Sequence, residues 1–132
     1  MIQKVRLSAR AKQQLSNLKS RTGLQNWNVL CRWAFCLSLS EPSKPPHEVV
    51  PADSSVDMDW STFTGRDDDV YWALLIARAQ RDGVDLSAAS LNTYFRLHLH
   101  RGISFLANRI SKDGIGDLVG LALGASRTKA RV

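Results

Sequence analysis

Apolar side chains follow two different periods along this chain, and the change of period falls within its first ten residues. Gln3, Val5 and Leu7 share one face and Lys4 and Arg6 the other, the alternation of a short amphipathic strand. So short a strand makes no sheet alone. No second strand pattern stands out downstream, so the expected partner is the same strand of another copy of the chain. From Ser8 the spacing becomes helical. Ser8 is placed to cap a helix whose apolar stripe is Ala11, Leu15 and Leu18, and Gly23 to end it after Thr22, with the basic residues off the stripe.

Asn26 opens a second helix, from Trp27 to Leu39, that is apolar nearly all round: Trp27, Val29, Leu30, Cys31, Trp33, Ala34, Phe35, Cys36, Leu37 and Leu39. Such a helix must be covered on every side, and in a chain of 132 residues a second subunit supplies the cover most simply; a central core helix is the other reading. Residues 41–65 break the pattern with Pro42, Pro45, Pro46 and Pro51, serines and acids, and Trp60 and Phe63 read as pins that hold this loop down. Helical spacing resumes at Asp67, where Asp67, Asp68 and Asp69 suit a helix N-terminus, and runs through Val70, Leu74, Ile76 and Ala77 to Arg81. Ser87 caps the next helix. Leu91, Phe95, Leu99, Ile103 and Leu106 hold helical register over four turns, although FRLHLH alternates like a strand and Gly102 costs a helix about 1 kcal/mol. Gly114, Ile115, Leu118, Leu121 and Ala122 suggest a last short helix, and SRTKARV a frayed tail.

The predicted architecture is all-α, mainly helical with about five helices and a short N-terminal strand. One domain spans 1–132, divided into an N-terminal unit 1–40, an acidic Pro-rich loop 41–65, a helical part 66–124 and a basic tail 125–132.

Charge divides the same stretches sharply. Residues 1–40 hold Lys4, Arg6, Arg10, Lys12, Lys19, Arg21 and Arg32 and no acid, a charge of +7; residues 41–69 carry −6 and the remainder +5, for a net +6. So one-sided a field attracts a polyanion, and neutralising phosphates with release of their counterions supplies binding energy. A solvated basic face kept for solubility is the plainer alternative. No apolar run approaches the roughly 18 residues that span a bilayer, and MIQKVRLSAR has no signal-peptide core, so a cytoplasmic protein with no membrane contact is expected.

Candidate chemistry adds little. Cys31 and Cys36 fall about 140° apart on a helix and read as reduced core residues. His98 and His100 point about 200° apart on a helix, unlike a chelating i, i+4 pair, and the three contiguous Asp read as dipole partners rather than magnesium ligands. No phosphate-binding loop, dinucleotide fingerprint or nucleophile elbow is present. No metal, no cofactor and no enzymatic activity are expected.

Strand, helix, glycine turn and helix in KVRLSARAKQQLSNLKSRTGLQNWNVLCRWAFCLSL resemble a ribbon-helix-helix unit. That resemblance implies that Lys4 and Arg6 of a paired ribbon enter a DNA groove and that a phosphate sits near Gln25, Asn26 and Trp27. NWNVLCRWAFCLSLSEPS, DMDW in the acidic loop and FRLHLHRGI together resemble the DndE family of DNA sulfur modification proteins, over most of the chain. This implies a DNA-binding component of the phosphorothioation machinery, in which sulfur replaces a non-bridging phosphate oxygen. It further implies a homotetramer that prefers nicked double-stranded DNA and works with the DndC and DndD components, while sulfur transfer lies elsewhere. The DNA-binding set is then Lys4, Arg6, Arg10, Lys12, Lys19 and Arg21, with Arg32 less certain, and the oligomer interface Gly23, Trp27, Trp33 and Phe35. A sequence-specific ribbon-helix-helix repressor, an adaptor docking through the acidic loop and a nicking enzyme stand as alternatives.

Overall fold

The computed structural model describes residues 1–110 and 114–131, with side chains described through Leu123. Among them are six helices and a two-stranded antiparallel sheet: β1 Lys4–Arg6, α1 Ala9–Thr22, α2 Trp27–Ser40, β2 Asp57–Asp59, α3 Trp60–Thr64, α4 Asp68–Arg81, α5 Ala88–Arg109 and α6 Ile115–Arg131. The long α6 takes in the basic tail that was expected to fray.

α1 begins and ends where its residue types dictate. The Ser8 hydroxyl accepts the Ala11 N–H at 3.0 Å, and Gly23, at φ 76°, closes the last turn by donating to the Lys19 carbonyl. Caps of this kind contribute about 1 kcal/mol each. FRLHLH lies within α5, so helical register outweighs local alternation, as the spacing of Leu91, Phe95, Leu99, Ile103 and Leu106 predicts.

β1 does not wait for another copy of the chain. It pairs with β2 in the register Lys4–Asp59, Val5–Met58 and Arg6–Asp57, which corrects the expected intersubunit strand pairing. The reason is burial: Val5, Val56, Met58 and Trp60 enter the core together, and the backbone bonds Leu7 N–H to Val56 O (3.2 Å) and Trp60 N–H to Gln3 O (2.9 Å) extend the ladder.

α2 and α5 form the central contact, and Gly102 permits it. A Cβ there would lie 1.8 Å from the Ala34 carbonyl oxygen, so the residue that weakens α5 as a helix is what lets α2 approach its backbone. Phe35, Trp60, Phe63 and Phe95 pack with ring centroids 5.2–5.8 Å apart, so Trp60 and Phe63 pin the loop as expected. α2 itself is covered on one face only. Leu30, Cys31, Ala34, Phe35 and Ser38 are buried, whereas Trp27, Val29, Trp33 and Leu37 are half-buried and Cys36 is exposed.

Four arginines bind the proline-rich segment to the helices. Arg78 donates to the carbonyls of Leu39 (2.7 Å), Glu41 (2.6 Å) and Ser43 (2.9 Å), and Arg101 to those of Ser38 (2.8 Å) and Ser43 (2.9 Å). Arg96 holds Val50 (2.8 Å) and Pro51 (3.1 Å), and Arg81 the Pro42 carbonyl. A loop of this length thereby gains a fixed backbone path without regular structure of its own.

Candidate nucleic-acid interface

The outward side of α1 follows from its buried stripe. With Ala11, Leu15, Leu18 and Thr22 turned inward, helical spacing sets Lys12 and Lys19 on one flank, Arg10 and Arg21 on the other, and Gln13, Ser16, Asn17 and Ser20 between them. Each flank's two cations lie within about 20° of one another around the axis, separated along it by ~10 Å for the lysines and ~16 Å for the arginines. α1 itself contributes no acid to this surface. A polar, uncharged strip between two cationic rails offers donors to phosphate oxygens and nothing that repels them.

The rails are held in different ways. Lys12 Nζ reaches Ser55 Oγ at 3.2 Å, and Arg21 donates to the Ile110 carbonyl at 3.0 Å. Lys19 Nζ sits 3.6 Å from the centre of the Trp27 ring, a cation–π contact. Arg10 has no ion pair among the described residues, and none of the four cations meets a carboxylate there.

Lys4 and Arg6 stand apart from this set. Lys4 pairs with Asp59 at 2.7 Å and Arg6 with Asp57 at 3.3 Å, and the Asp59 hydrogen bond raises the lysine's pKa above its ordinary value. Arg32 is not on the surface patch either. It donates to the Phe63 carbonyl at 2.9 Å and the Thr62 carbonyl at 3.4 Å, closing the C-terminal end of α3. Asn26 caps α2 with no side-chain bond to its first-turn amides. By contrast, the Ala9 N–H of α1 is taken by Asp53 Oδ1 at 2.7 Å.

Of the four residues expected at a subunit interface, Gly23 is exposed at the α1–α2 turn, and Trp27 and Trp33 are half-buried. Phe35 is a correction. It lies wholly inside the chain's own core, against Phe63, Tyr71, Phe95 and His98, and offers a second subunit no surface.

The two histidines serve the scaffold. His100 Nε2 accepts the Ser8 N–H at 3.1 Å while its Nδ1 meets the Arg96 carbonyl at 2.8 Å, which fixes a neutral ring protonated on Nδ1 beneath the start of α1; burial lowers its pKa. His98 Nδ1 meets Ser38 Oγ at 2.7 Å, and burial pushes its pKa down to about 3. Ser38 and His98 have no exposed surface, so this hydroxyl–imidazole pair is closed to a substrate. Asp68 accepts from Ser61 Oγ and Thr64 Oγ1, each at 2.6 Å, which lowers its pKa and fixes it at the start of α4. No group of three potential metal ligands occurs among the described residues.

The family of DNA sulphur modification protein DndE matches residues 4–113 of this chain. The chain belongs to the DndE family. Two solved structures share the fold. DndE from Escherichia coli B7A, involved in DNA phosphorothioation modification, is 24% identical with a TM-score of 0.68, over 80% of this chain and 98% of that one. A DndE variant with two glycines replaced by lysine, described as involved in DNA phosphorothioation, is 21% identical with a TM-score of 0.64, over 82% of this chain and 99% of that one. No curated protein matches the chain in sequence. Membership of DndE places the chain among the DNA sulphur modification proteins, and no described helix is long and apolar enough to cross a membrane.

Proposed function

We propose that this DndE-family chain is a non-enzymatic, cytoplasmic DNA-binding component of the phosphorothioation machinery that holds the duplex backbone on the outer face of α1. The observation that carries this reading is the acid-free strip of Gln13, Ser16, Asn17 and Ser20 between the Lys12–Lys19 and Arg10–Arg21 rails. Four cations with no carboxylate partner among the described residues release counterions when they meet phosphates, and a surface that reads phosphate without base edges binds with little sequence preference. A homotetramer, joined through surfaces that include Gly23, Trp27 and Trp33, repeats the rails and multiplies their effect. The half-covered face of α2 supports such an assembly. Nicked duplex is the preferred ligand and DndC and DndD are the partners, as the family resemblance implies.

Titrating the chain with a nicked and an intact duplex of the same sequence, with light scattering to size the particle, tests this. Tighter binding to the nicked duplex and indifference to sequence are expected. Protection of one discrete inverted repeat would instead favour a sequence-specific repressor. That alternative rested on Lys4 and Arg6 reading a groove, and both are engaged by Asp59 and Asp57 of the same chain.

A further inference from the structure

Residues 53–59 answer the donors of the chain's first twelve residues one by one. Val56, Met58 and Trp60 turn into the core, and the residues alternating with them face outward. Asp53 Oδ1 accepts the Ala9 N–H at 2.7 Å, Ser55 Oγ the Lys12 ammonium at 3.2 Å, Asp57 Oδ2 the Arg6 guanidinium at 3.3 Å, and Asp59 pairs with Lys4 at 2.7 Å. Asp57 and Asp59 occupy alternate positions of β2, about 7 Å apart and antiparallel to β1, and the bend before them carries Ser55 and Asp53 to the start of α1. Their placement is fixed, because the same segment is anchored by buried side chains and by the bonds of Ser54 N–H and Oγ–H to the Leu7 carbonyl at 3.3 and 2.7 Å.

Exposed ion pairs do little for stability, yet within a Debye length of ~8–10 Å a fixed carboxylate cancels the field of the cation beside it. These carboxylates therefore matter more to the surface potential than to the fold. We propose that the β2 carboxylates set the edge of the DNA footprint. A duplex approaching β1 meets Asp57 and Asp59, and its phosphates are turned to the acid-free face of α1. This inference rests on the DNA reading of α1 and adds a boundary to it.

The test is the salt dependence of duplex binding by the full chain, for the wild type and for Asp57→Asn with Asp59→Asn, with circular dichroism confirming the fold. Freeing Lys4 and Arg6 to neutralise phosphates should steepen the slope of log K against log salt by roughly 1 to 2. Amide resonances of Lys4 and Arg6 should then respond to DNA in the variant and stay silent in the wild type. Asp67→Asn with Asp69→Asn makes the same change in net charge away from β2 and should leave the slope unaltered. A double variant with the wild-type slope overturns the edge, and so does equal steepening in the control, which reports net charge alone. If the wild type shows no salt-dependent binding, the α1 reading has failed and the edge falls with it; failure confined to the variant leaves that reading standing.

Discussion

The arginines of α4 and α5 and the cations of α1 have the same charge and opposite occupations. Arg78, Arg96 and Arg101 spend their donors on backbone carbonyls of residues 38–51, and Arg78 also holds Asp82 at 3.2 Å in a pair almost without exposure. Arg10, Lys12, Lys19 and Arg21 flank the outer face of α1 and meet no carboxylate among the described residues, although Arg21 also donates to the Ile110 carbonyl. Positive charge is thus divided between holding a loop and offering a surface. Removing cations from the first group should cost stability, and from the second, binding.

The sharpest way to break that division is within the scaffold. Gly102→Ala drives a Cβ into the Ala34 carbonyl and should cost several kcal/mol, in the range of severe core changes, or prevent folding; urea denaturation reads it. Arg78→Ala strips the Leu39 and Glu41 carbonyls of their donor and takes from buried Asp82 its nearest cation, leaving it Tyr94 and Arg81, a loss of about 2–3 kcal/mol. Lys12→Glu with Lys19→Glu should do the reverse, abolishing duplex binding while unfolding free energy changes by less than about 1 kcal/mol.

How much of this division was legible depends on what each contact leaves in the sequence. Ser8 and Gly23 marked both ends of α1, because caps are chosen by residue type. β2 left almost no mark. Its three residues alternate acid, methionine, acid inside a segment rich in proline and acid, and their partner lies some fifty residues earlier. The arginine straps were equally hidden, since any residue's carbonyl can accept a guanidinium. In α2, which is apolar nearly all round, periodicity does not say which face turns inward, so Phe35 was grouped with Trp33 although only the tryptophan reaches the surface. The cations of α1 stand out in the sequence by the lack of acids around them, whereas the pairing of Lys4 and Arg6 with Asp59 and Asp57 shows only once β2 is in place.

A smaller effect comes from acid. His98 is neutral in the core, its pKa about 3 against 6.5 for the free side chain. Since the unfolded chain takes up this proton more readily, stability should be constant above the unfolded value, fall as pH drops below about 6.5, and stop falling on this account near 3. His98→Gln should flatten that part of the pH profile of Tm, and its duplex affinity at neutral pH should match the wild type.

The most direct measurement is the salt slope of duplex affinity for the wild type beside a chain carrying Arg10→Gln, Lys12→Gln, Lys19→Gln and Arg21→Gln. If the outer face of α1 holds the DNA backbone, the variant should keep the wild-type fold by circular dichroism, with Tm lowered no further than the lost Arg21–Ile110 bond accounts for, while the slope loses about 3 to 4 per chain engaged. A variant that binds with the wild-type slope would contradict the account.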